Sequence, residues 1–171
     1  EDDDQDKVGN QGWNDLADFE IGQTVPYRYE SNMPDVNGYN TYYYAWHDVM
    51  SEALTFKKDS VAIRIYESSN ARNYYELKEG EFEVKEAPGG GDTFQVIVSD
   101  MKKIIDREFN RKNEAGENKY GQKIVLTYQA TLNEKAAKNT GRPGFENDVR
   151  LEFSNDPDSA VRGSTGYTPV S

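Results

Sequence analysis

Cysteine is absent from the 171 residues, so no disulfide can brace the fold, and a thiolate nucleophile or a cysteine-bound metal is excluded. Histidine occurs once, at His47, which removes the paired imidazoles of most zinc sites. No apolar run approaches the roughly 18 residues that a membrane-spanning helix needs. The first residues are acidic where an export signal would be basic and then apolar, so any such signal is expected outside this sequence. Basic residues are also in deficit. Twenty Lys and Arg against 31 Asp and Glu leave a net charge of -11, which repels nucleic acid and anionic membranes alike.

Mean hydropathy is low, at -0.95, yet 12 Tyr, 7 Phe and 2 Trp fall in alternating runs that a disordered chain would lack. Val25, Tyr27 and Tyr29 alternate with polar residues after the Gly22 turn, the period-two pattern of a half-buried strand. After turn residues at 32–38, Tyr42, Tyr44, Trp46, Asp48 and Met50 share one face of a second extended segment. Further alternation at Val61–Ile65, Phe82–Val84, Phe94–Val98, Ile124–Ala130 and Val149–Asn155 predicts more antiparallel strands. The Pro88-Gly89-Gly90-Gly91 stretch supplies a hairpin turn.

One segment departs from this rhythm. Asp100 is placed to cap a short helix in which Met101, Ile104, Ile105 and Phe109 recur at helical spacing, ending before Gly116. At least seven short strands and one helix predict a single all-β domain over 1–171, an immunoglobulin-like β-sandwich. Residues 1–12 read as an acidic loop or frayed end, and 157–171 as a surface tail or linker.

Two polar residues continue apolar faces: Asp48 in the second segment and Asn155 in the last. Burying either without a partner costs about 1–3 kcal/mol or more, so partners are implied. A carboxyl in an apolar pocket has its pKa raised and stays protonated, whereas a buried lysine becomes a neutral amine. The three groups together permit a reaction. The amine attacks the Asn carbonyl, the protonated acid polarises it, ammonia leaves, and two strands are joined by an amide. The plain alternative is that Asp48 and Asn155 are ordinary strand-end residues bonded to nearby backbone.

Four blocks then point to a family: Ile21-Gly22-Gln23-Thr24-Val25-Pro26-Tyr27, the stretch from Tyr42 through Trp46, Asp48 and Leu54 to Phe56, Leu126 to Asn133, and Val149 to Pro157. Their order and spacing cover nearly the whole sequence, which resembles the isopeptide-forming middle domain of Gram-positive, sortase-assembled backbone pilins. The resemblance implies a collagen-adhesin-type immunoglobulin-like fold, a first-strand lysine joined to a late-strand asparagine beside an acid, and a place on the bacterial surface among neighbouring pilin domains and subunits. It matches Asp48 to the helper acid and Asn155 to the acceptor. The donor stays open between Lys7, the one lysine before the first block, and a lysine upstream of Glu1; Lys57, Lys58 and Lys123 are read as solvent-facing.

No cofactor is implied and no reaction on an outside substrate. The acidic run at 2–4 lacks the spaced ligands and glycine of a calcium loop. His47 faces away from Asp48 by alternation, which argues against a catalytic triad. A rival reading is a collagen- or glycan-binding adhesin module with an exposed groove of Tyr42, Tyr43, Tyr44 and Trp46. A glycosidase would need a second acid on a comparable buried face, and none is found.

Overall fold

The computed structural model describes residues 20–138 and 146–171. The alternating runs become strands: β1 (Thr24–Asn32), β2 (Tyr44–Met50), β3 (Leu54–Tyr66), β4 (Tyr74–Glu76), β5 (Glu83–Gly89), β6 (Asp92–Val98), β7 (Lys123–Leu132), β8 (Asn147–Ser154), β9 (Arg162–Ser164) and β10 (Thr168–Pro169). They form two antiparallel sheets, one ordered β1-β7-β3-β4 and the other β10-β8-β2-β6-β5, with β9 also on β8. This is the expected immunoglobulin-like sandwich.

Inward residues of the two sheets meet in one core. Val25 and Tyr27 of β1, Ile63 and Ile65 of β3, and Ile124, Leu126 and Tyr128 of β7 face Tyr44, Trp46, Phe94, Val96 and Val149 of the other sheet. Phe56 and Phe94 stack across the gap with ring centroids 3.7 Å apart. Tyr128 meets Phe94 edge-on at 5.0 Å and stacks on Tyr27 at 5.5 Å. Such aromatic pairs contribute about 0.5–1.5 kcal/mol beyond the area they bury.

The helix α1 (Met101–Glu108) forms where the 3.6-residue period appears, with Met101, Ile104 and Ile105 buried. Its cap does two jobs. Oδ1 of Asp100 accepts the N–H of Lys103 at 3.2 Å and that of Tyr42 at 3.0 Å, tying the helix start to the approach of β2.

Three differences from the sequence expectation have local causes. Strand β3 begins at Leu54 rather than Val61, because an irregularity between Lys57 and Ala62 shifts its register against β7 and interrupts the alternation. Strand β4 is three residues long, too short to carry a period. The segment read as a surface tail instead returns along β8: residues 155–161 turn, Ser164 pairs with Glu152, and Thr168 with Val149. Where β5 turns into β6, Gly89 at the end of β5 and the following Gly90 and Gly91 take φ of +109°, +67° and +88°, conformations that side chains disfavour. The acidic run at 1–12 lies outside the described residues.

Candidate functional site

Asp48 sits in the middle of β2, between Phe94 of β6 and Val149 of β8 in register, and is fully buried. Alternation carries its side chain inward with those of Tyr44 and Trp46, into the gap between the sheets. Tyr128 reaches it from the opposite sheet, donating its hydroxyl proton to Oδ2 of Asp48 at 2.6 Å. The third member is Asn147, 2% exposed at the start of β8, where it pairs with Met50. One terminal atom of its amide lies 2.6 Å from both carboxyl oxygens of Asp48, and the other lies 2.5 Å from Oη of Tyr128.

Hydrogen positions in this triangle follow from what each group can donate. With Asp48 protonated, its O–H donates to the amide oxygen of Asn147, Nδ2 of Asn147 donates to Oη of Tyr128, and Tyr128 donates to Asp48. Every member then donates once and accepts once, closing a ring. With Asp48 ionised, the amide must turn its nitrogen to the carboxylate, and Asp48 and the amide oxygen compete for the single Tyr128 proton. Burial favours the closed ring. Desolvation pushes the Asp48 carboxyl up to about 7, against the opposing pull of its hydrogen bonds from Tyr128 and Asn147. Burial, reinforced by Asp48, holds the Tyr128 phenol well above its ordinary range, so it stays a neutral hydroxyl.

Asn155 is not part of this constellation. It lies beyond the end of β8, exposed, with its backbone N–H on the carbonyl of Val161. It is six residues past Val149, the register partner of Asp48, about 20 Å of extended chain. The assignment of Asn155 as the amide beside Asp48 is therefore corrected to Asn147. Both residues share the parity of Val149 and Leu151, and only the register of β8 on β2 separates them. Extending the alternation two residues back from Val149 would have found Asn147.

Of the lysines considered, Lys7 lies outside the described residues. Lys57 and Lys58 are exposed at the β3 irregularity, and Nζ of Lys123 sits 4.6 Å over the ring of Tyr66. The aromatic groove of the adhesin reading does not exist as a surface: Tyr42, Tyr44 and Trp46 are all at most 3% exposed. Tyr43 is half-buried beneath the guanidinium of Arg162, 3.6 Å from its ring centroid.

His47 points to the other face of the sheet, away from Asp48, but it is buried. Its Nδ1 is 2.7 Å from Asp92 Oδ2 and its Nε2 is 2.7 Å from Glu152 Oε1. That clamp ties β2 to β6 and β8. Period-two reading gave no sign of it, because Asp92 and Glu152 are far from His47 in sequence. Among the described residues no group of three or more His, Cys, Asp or Glu is arranged to hold a metal ion, and no helix is long and apolar enough to cross a membrane.

Comparison with known proteins agrees with this architecture. Residues 21–157 match the profile of the family described as Gram-positive pilin backbone subunit 2, Cna-B-like domain. The pilus backbone RrgB of Streptococcus pneumoniae superposes with a TM-score of 0.55 at 24% identity, over 82% of this chain and 44% of that one. The group B streptococcus pilus 2b backbone protein gives 0.54 at 17% identity, over 86% and 52%. The major pilin subunit BcpA of Bacillus cereus gives 0.50 at 18%, over 88% and 35%. The chain thus spans about half or less of the length of these structures. No curated protein matches it in sequence.

Proposed function

The chain belongs to the Gram-positive pilin backbone family, in its Cna-B-like domain, and from that premise we propose that it is a load-bearing module of a pilus shaft, braced by an internal lysine–asparagine amide. The observation that carries the reading is the Asn147 amide held 2.6 Å from both oxygens of a buried Asp48. An acid–amide pair in an apolar interior is costly unless satisfied, and a protonated acid bonded to an amide oxygen would favour attack at the amide carbon.

The roles follow from the proton ring. Protonated Asp48 donates to the Asn147 carbonyl oxygen and makes Cγ electrophilic. A lysine entering the same gap is desolvated and so loses its proton, leaving a nucleophilic amine. Attack at Cγ and loss of ammonia leave an amide between the lysine and β8. Lys7 is the donor in this reading, with a lysine upstream of Glu1 as its alternative. Lys7 precedes β1, whose Tyr27 stacks on Tyr128 at the site. No cofactor enters the reaction and no outside substrate is consumed. The module would act on the bacterial surface, joined to other pilin subunits by sortase.

Intact-mass spectrometry of the protein with its native flanks tests this. A mass lower than the sequence value by one ammonia, with the cross-linked peptide joining Lys7 to Asn147, is the expected result. An unaltered mass overturns it.

A further inference from the structure

We infer that Tyr128 is a catalytic residue of this cross-linking step: its hydroxyl fixes which way round the Asn147 amide sits and carries a proton to the departing nitrogen. The inference rests on the isopeptide reading above and goes beyond it, since acid, amide and lysine alone leave both tasks unassigned.

Orientation comes first. The two ends of an amide are nearly the same size, so shape alone cannot decide which one faces Asp48. Tyr128 can. While its proton is committed to Oδ2 of Asp48, its oxygen is left as an acceptor 2.5 Å from the amide, and only Nδ2 has hydrogens to give it. The carbonyl oxygen is thereby turned onto the acid. The Tyr128 ring is itself held, stacked on Tyr27 at 5.5 Å and edge-on to Phe94 at 5.0 Å.

The proton balance gives the second task. A neutral lysine brings two hydrogens on Nζ and forms the Nζ–Cγ bond. One hydrogen stays in the new amide. Asp48 passes its own proton to the carbonyl oxygen as Cγ becomes tetrahedral, takes the other Nζ hydrogen as a proton on Oδ2, and recovers its first proton when the C=O re-forms. The Cγ–Nδ2 bond breaks, and Nδ2, already carrying two hydrogens, needs one proton to depart as ammonia. Tyr128 bridges donor and recipient: as Nδ2 becomes tetrahedral and basic, Oη hands it a proton while taking one from Oδ2 of Asp48. Acid and phenol both end as they began. Bulk water is no easy substitute, for Asp48 is fully buried and Asn147 is 2% exposed. The raised phenol pKa suits a carrier that is never left as phenolate.

The test uses the full-length chain with its native flanks, sampled by intact-mass spectrometry at intervals after pulsed synthesis across a pH series. The native chain should lose one ammonia quickly, with the rate falling as pH rises through the Asp48 titration. Tyr128→Phe should slow the loss by about 100-fold, the lower end for a positioned proton donor. It should also move the alkaline limb to higher pH, because Asp48 has lost a hydrogen bond that favours its ionised form. Site-specific 3-fluorotyrosine at 128 keeps the shape and the hydroxyl but is a stronger donor. It should react fast, with the limb displaced to lower pH, and this reads the role even where Tyr128→Phe folds poorly. Equal rates and superimposable pH profiles for the native and substituted chains overturn the role of Tyr128 and leave the cross-link standing. A native chain that never loses ammonia overturns both.

Discussion

Asp48, Asn147 and Tyr128 come from three different strands, so each side chain can be tested alone. Asn147→Ala should abolish ammonia loss, whereas Asn155→Ala should leave it intact, since Asn155 is exposed beyond the strand end; intact mass reports both. The pH dependence of stability has a definite sign. In a chain left unlinked by replacing the proposed donor, Lys7→Ala, Asp48 holds its proton in the fold up to about pH 7, but when unfolded only to about pH 4. Between those values the folded state binds more protons. Its contribution is therefore complete below about pH 4 and is lost as pH rises through 7, by up to roughly 4 kcal/mol. Urea denaturation across that range should show the decline, and Asp48→Asn should remove it.

At the scale of elements, Asp100 joins two of them. One carboxylate oxygen caps α1 through Lys103 and holds Tyr42 ahead of β2, so Asp100→Ala unmakes both hydrogen bonds. The expected cost is about 1–2 kcal/mol by thermal or urea denaturation, with Asp100→Asn closer to native because it keeps the acceptor. The elements also set the limits of pattern reading. Strands β1, β6, β7 and β8 were legible because each presents one face to the core and one to solvent. Strand β4 has three residues, and the start of β3 is hidden where its register slips, so neither carries enough alternation to be seen. Helix α1 was legible from its cap and apolar spacing.

For the whole molecule, the cross-link would bind the segment before β1 to β8, closing a loop that spans most of the sandwich. Such a closure restricts the unfolded chain much as a disulfide does, in a protein without cysteine. The native chain should consequently melt at higher temperature and resist trypsin longer than Asn147→Ala, compared under identical conditions. The return of the chain along β8 contributes to the same end. Val170 donates to the carbonyl of Asn147, and Arg28 of β1 donates to that of Ser171, so the last residues bridge the two sheets.

The sequence by itself determined the all-β class, the position of the helix and the inward direction of Asp48, because these follow from local periodicity and capping. It could not choose between Asn147 and Asn155, which lie on the same face of one run. The tertiary structure decided that, since the register of β8 against β2 sets which amide meets the acid. It also decided that Tyr128 is the third partner, reaching across from the opposite sheet, a proximity that only the packing of one sheet on the other creates.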